Sequence, residues 1–129
     1  MNINERADKA IYFKRSGCNC CQAVAASCAD LVEISQDNLI SAASGFGAGM
    51  GCMEGDCGAL IGAVMIAGLV TKGRSSTAAA KNIFMRFRQM CGATVCKDLK
   101  GITTGAVLCK CDDCVKNAVY ALSEVLPEK

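Results

Sequence analysis

Eleven cysteines and not one histidine in 129 residues set the terms for this chain. Cysteine at this density marks either a secreted disulfide scaffold or metal and redox chemistry. Three features speak against the scaffold. The count is odd. The opening residues Met1 to Arg6 hold no apolar stretch of the kind a secretory signal needs. The rest of the chain carries long Ala-rich helical patterns rather than stapled loops. The sequence therefore reads as cytoplasmic, where thiols stay reduced unless a metal takes them. The missing histidine excludes covalent c-type haem, Cys–His nucleophilic pairs, Rieske ligation and His-ligated catalytic zinc. A site here is built from thiolates, Met sulfurs, carboxylates and backbone.

The remaining composition narrows the partners. Apolar residues make up 52% of the chain, enough for a core without cross-links. A net charge of +2, four Phe, two Tyr and no Trp give nucleic acid little to bind. The apolar run Ala59 to Val70 is too short for a membrane span and suits a buried core helix.

Periodicity predicts an all-α protein, a single cysteine-rich domain over residues 1–129. It is a compact bundle of about five helices with a Gly-rich loop before a buried central helix. Helical patterns cover Glu5 to Lys14, Asn19 to Glu33, a short stretch from Gln36 to Ala43, Cys57 to Val70, Ser75 to Cys91 and Cys111 to Leu126. Thr94 to Leu99 reads as one short turn of helix. Pro127 follows the last pattern. No segment alternates with period two, so no sheet is expected. Gly58 and Gly62 lie four apart, so one face of the central helix can press close to a neighbour. Lys81, Arg86 and Arg88 read as a solvated face, and Asp56 as a cap for the central helix.

Cysteine placement is more telling than cysteine number. Cys20, Cys57, Cys96 and Cys111 each mark a helix start. Free N–H groups and the helix dipole there favour thiolate, the form that binds metal and attacks disulfides. Four such starts at one end of a bundle would build an anionic sulfur site. Gly47, Gly49 and Gly51 would let backbone N–H groups approach it. That loop matches neither a P-loop nor a dinucleotide fingerprint, and a plain turn between helices is the lesser of its two readings. Cys28 falls on a core stripe and reads as a small buried hydrophobe. Cys21 and Cys91 also fall on core faces, where packing and ligation are equally good readings.

The segment Gly17-Cys18-Asn19-Cys20-Cys21-Gln22-Ala23-Val24 resembles the opening motif of the C_GCAxxG_C_C family. Ala43 to Gly51 resembles its Gly-rich stretch, and Cys57-Gly58-Ala59-Leu60-Ile61-Gly62 its signature. Phe87, Cys96-Lys97-Asp98-Leu99, and Cys111 with Val115 follow in the same order. The resemblance spans about residues 5 to 126. It implies a small helical protein with redox activity; related domains in split-Soret cytochromes extend that to an iron–sulfur centre. The family's recurrent cysteines fall on Cys20, Cys57, Cys96 and Cys111. This chain adds companions: Cys18 and Cys21 beside Cys20, Cys52 before Cys57, Cys91 before Cys96, and Cys109 and Cys114 around Cys111. They suggest a larger centre, or two centres, in place of one.

Three functions follow. The first is a cysteine-ligated iron–sulfur protein that carries or stores electrons and works with a redox partner protein. The second is a thiol–disulfide redox protein using a Cys-x-x-Cys pair, Cys18/Cys21 or Cys111/Cys114. The third is a store or sensor for Cu(I) or Zn, with Met50 and Met53 as further soft donors. No acid–base pair stands out, so an electron carrier fits better than a substrate-specific enzyme. Glu54 and Asp56 read as solvated loop carboxylates. The Gly58–Gly62 face could equally serve a homodimer.

Overall fold

The computed structural model describes residues 1–126 and is all-helical. It has seven α-helices: α1 Ile3–Arg15, α2 Cys20–Ser27, α3 Gln36–Ala43, α4 Gly58–Thr71, α5 Ser76–Cys91, α6 Cys96–Leu99 and α7 Cys111–Val125. The expected count of about five is too low; the short helix expected at Gln36–Ala43 is α3, and the turn of helix expected within Thr94–Leu99 is α6. Pro127 lies outside the described residues. No strand forms among them; a single antiparallel bridge pairs Asp56 with Val95.

Local chemistry sets the helix starts. Asn2 caps α1 through its side chain, which accepts from the Glu5 N–H. Asn19 and Gln22 form a reciprocal capping box that opens α2. Ser35 caps α3. Cys57 itself occupies the cap position of α4, with no side-chain capping bond, so the cap expected of Asp56 is not formed. Asp56 instead provides the bridge to Val95.

Helix α2 ends at Ser27, six residues before the expected Glu33. The Arg6 guanidinium caps this end. It donates to the Ser27 carbonyl at 2.7 Å and to both carboxylate oxygens of Asp30 at 2.6 and 2.9 Å. The chain then turns through Ala29–Leu31 and leaves the helix axis.

Helix α4 is the centre of the bundle and packs against α2, α5 and α7, while α1 lies across α2 and α7. Its residues Ala59, Leu60, Ala63, Ile66 and Ala67 are buried against Val24, Leu39, Ile83, Phe87, Val115 and Leu122. The Gly58–Gly62 face meets α2. A Cβ on Gly62 would lie 2.9 Å from the Cys21 carbonyl oxygen and 3.2 Å from Val24 Cβ. The close approach read from the Gly spacing is thus made inside the chain, so the face considered for a homodimer is already covered by α2. Cys28 is fully buried in the core, as expected. Arg86 pairs with Glu124, and Arg88 lies over the Phe84 ring.

Candidate functional site

All four helix-start cysteines are where the sequence puts them: Cys20, Cys96 and Cys111 open α2, α6 and α7, and Cys57 caps α4. The fold brings the four starts together. Cys20, Cys57, Cys96 and Cys111 line one small cavity of about 20 Å³, together with Cys109, Cys114, Leu99 and Lys100.

Backbone bonds hold these sulfurs in place. On either side of the Asp56–Val95 bridge, the Cys57 N–H donates to the Thr94 carbonyl at 2.7 Å and the Cys96 N–H to the Gly55 carbonyl at 3.0 Å. Two cysteines 39 positions apart are thereby fixed side by side. The loop after α6 folds back so that the N–H groups of Leu108 and Cys109 both donate to the Leu99 carbonyl, at 3.0 and 3.3 Å. This brings Cys109 under α6 and leads directly into Cys111 and Cys114 on α7.

The Gly-rich loop takes an uncommon path. Ala48, Gly49, Met50 and Gly51 all have positive φ, at 52°, 58°, 64° and 77°. A left-handed conformation costs a non-glycine residue about 1–2 kcal/mol, so Ala48 and Met50 are strained. The Ala48 backbone N–H favours the Cys20 thiolate. Gly49 is buried, and a Cβ there would lie 2.5 Å from Cys96 Cβ. A Cβ on Gly47 would collide with the Asn19 side chain at 2.6 Å. Gly47 therefore makes room for the α2 cap and Gly49 for Cys96. Gly51 is exposed, with open space around its Cβ position.

The electrostatics centre on Cys57. Hydrogen bonding from Cys114, then from Cys20, outweighs burial and lowers the Cys57 thiol to about 3, with help from the Ala59 and Leu60 amides at the start of α4. Cys114 and Cys20 are pushed up in turn, both chiefly by their hydrogen bonds to Cys57. One thiolate thus sits between two thiols. Burial works against the Lys100 ammonium, but the Cys111, Cys96 and Cys20 sulfurs outweigh it and hold its pKa above the usual lysine value.

A second group adjoins the first. The sulfurs of Cys91, Cys109 and Cys114 lie within 4.8 Å of one another and could hold a metal ion. Asn117, one turn along α7 from Cys114, donates its side-chain amide to Cys91 Sγ at 3.3 Å and to Cys109 Sγ at 3.9 Å. Cys91 falls to about 7, chiefly through Cys114 and against burial, with Asn117 assisting. Cys109 rises to about 11, chiefly through burial.

The other companions lie elsewhere. Cys21 is fully buried, its Sγ 3.9 Å from Met65 Sδ, and burial raises its thiol to about 12. Cys52 is exposed, and its thiol donates to the Gly49 carbonyl at 3.7 Å. Cys18 is half-buried just past α1. Met50 is exposed, and neither it nor Met53 lines the cavity. Glu54 pairs with Lys97 at 2.8 Å. All eleven cysteines are free thiols.

Lys100, Asn117 and the Ala48 amide were not found from the sequence. Spacing offers a signal for the first two: Lys100 is four residues after Cys96, and Asn117 three after Cys114, so each shares a helical face with a site cysteine. Ala48 carried no such signal, since it acts through its backbone N–H.

Fold and site together define a helical, cysteine-rich protein with a thiol cluster able to hold metal. The family model for the "putative redox-active protein (C_GCAxxG_C_C)" matches residues 18–125, and the chain belongs to that family. The match begins after α1, so the resemblance expected from residue 5 is shown from residue 18. No curated protein and no solved structure matches the chain.

Proposed function

We propose that this chain is a cysteine-ligated iron–sulfur protein that carries or stores electrons. The observation that carries the reading is the convergence of Cys20, Cys57, Cys96 and Cys111, from four separate helix starts, on one cavity.

The donor chemistry fits such a group. Thiolates are the usual ligands of iron–sulfur clusters, commonly four of them. The low-lying Cys57 thiolate is a ready ligand, and Cys20, Cys96 and Cys111 complete the set. The cavity between the sulfurs, about 20 Å³, has room for a single small ion. A cluster of several atoms therefore requires the thiol side chains to swing outward. When bound, such a cluster supplies one-electron transfer. The Ala48 amide, the start of α4 and Lys100 would offset its negative charge, and burial under Leu99 would limit access of water. Free thiols in this number suit a reducing cytoplasm, and an electron carrier calls for a redox partner protein.

Anaerobic reconstitution with iron and sulfide tests the ligand set. Cys96→Ser is expected to lose the chromophore, whereas Cys18→Ser and Cys52→Ser keep it. Full iron content in Cys96→Ser, or loss of iron in Cys18→Ser or Cys52→Ser, would contradict the assignment.

A further inference from the structure

We propose that Cys91, Cys109 and Cys114, the group adjoining the quartet's cavity, form a three-thiolate site that binds one Cu(I) ion. None of the three belongs to the quartet onto which the family's recurrent cysteines fall. The inference does not depend on the iron–sulfur reading.

Three elements supply the ligands: the last residue of α5, the end of the loop after α6, and the first turn of α7. Their exposures are 3%, 9% and 2%, so the site is closed to solvent. Sulfurs within 4.8 Å of one another share a point no farther than about 2.8 Å from each. A metal–thiolate bond is about 2.3 Å, so a small inward shift of side chains closes the site on an ion.

Packing alone does not account for the arrangement. An apolar filler has no use for a directed N–H donor. Yet Asn117 turns its amide nitrogen onto two of the three sulfurs, at 3.3 and 3.9 Å. A donor aimed at sulfur fits the outer-shell partners that orient metal thiolates. The start of α7, a helix of 15 residues, adds its dipole beside Cys114.

The number and type of ligands select the ion. Structural zinc takes four protein ligands and catalytic zinc three with an open position for water; this group offers three sulfurs and is closed to solvent. Soft thiolates favour Cu(I). Binding leaves all three sulfurs as thiolates, any thiol protons they carry pass to solvent, and copper stays in its monovalent state. The site then carries a net charge of minus two, which the Asn117 amide and the α7 dipole partly offset.

The test uses the full chain, reduced and metal-free under anaerobic conditions. Cu(I) is added as its acetonitrile complex against a chromophoric Cu(I) chelator, and X-ray absorption reads the coordination of the first equivalent. The expected result is a first equivalent bound by three sulfurs. Cys91→Ser should lose it, Cys96→Ser should keep it, and Asn117→Leu should weaken it about 10–100-fold. Cys109→Ser, on a loop, gives the same reading should Cys91→Ser not fold. A first equivalent that survives both Cys91→Ser and Cys109→Ser, or that Cys96→Ser removes, overturns the proposal. Iron content in the same variants is scored separately, so failure of the iron–sulfur reading leaves this result intact.

Discussion

Gly58 leaves the Cys20 sulfur no room to spare: a Cβ on Gly58 would lie 2.6 Å from Cys20 Sγ and 2.7 Å from the Phe46 carbonyl oxygen. The Gly that follows Cys57 thus sets the distance between two site cysteines. The side chain of Cys20 can rotate, but the Phe46 backbone cannot yield cheaply. Gly58→Ala should destabilise the metal-free protein by about 1–3 kcal/mol, the range for overpacking a tight interface. Urea unfolding of the reduced protein measures it. Metal content should fall as well, because Cys20 must move.

The Cys57 thiolate makes stability depend on pH. Its folded pKa of about 3 lies below its unfolded value of 9.0. Between these limits the unfolded chain binds a proton that the folded chain does not, so this group's contribution declines as pH falls. Cys20 and Cys114 are raised above 9.0, so their contribution is present below that value and lost as pH rises beyond it. The metal-free protein should therefore be most stable near the ordinary thiol pKa and weaken on both sides. Thermal unfolding from pH 5 to 10 checks this, and Cys57→Ser should flatten the acid side.

Lys100 places a cation at the cavity wall among Cys96, Cys111 and Cys20. Lys100→Met should slow alkylation of the metal-free cavity thiols near neutral pH, because the thiolate form loses a positive neighbour. In the loaded protein the same change should lower the reduction potential, since the more negative reduced state loses more. Lys100→Arg should stay close to the natural protein in both measurements.

Arg6 is 8% exposed and carries the turn after α2. Arg6→Met would leave the buried Ser27 carbonyl without the guanidinium and Asp30 without its ion pair. The loss should cost about 1.5–3 kcal/mol, typical for hydrogen bonds from a charged group. Chemical unfolding measures it, and metal binding at the far sulfurs should persist wherever the variant is folded.

The helix starts at Cys20, Cys96 and Cys111, the buried α4 and the close Gly58–Gly62 face were legible because apolar periodicity and Gly spacing act locally. The early end of α2 was not. Leu31 and Val32 continue its apolar stripe, and the guanidinium that holds the Ser27 carbonyl comes from Arg6, 21 residues upstream. The Asp56–Val95 bridge was equally hidden, since a single pair of residues shows no alternation. Cysteine pairs judged by spacing misled in places. Cys52 and Cys18 lie near family cysteines in sequence yet do not line the cavity. Cys91 is joined to Cys109 and Cys114 through tertiary packing of α5 on α7.

The most direct measurement is the absorption spectrum of protein purified without oxygen, with iron and acid-labile sulfide determined per chain. The account predicts brown protein with matched iron and sulfide, both lost in Cys57→Ser or Cys96→Ser. Colourless protein that stays free of iron after reconstitution with iron and sulfide would contradict it.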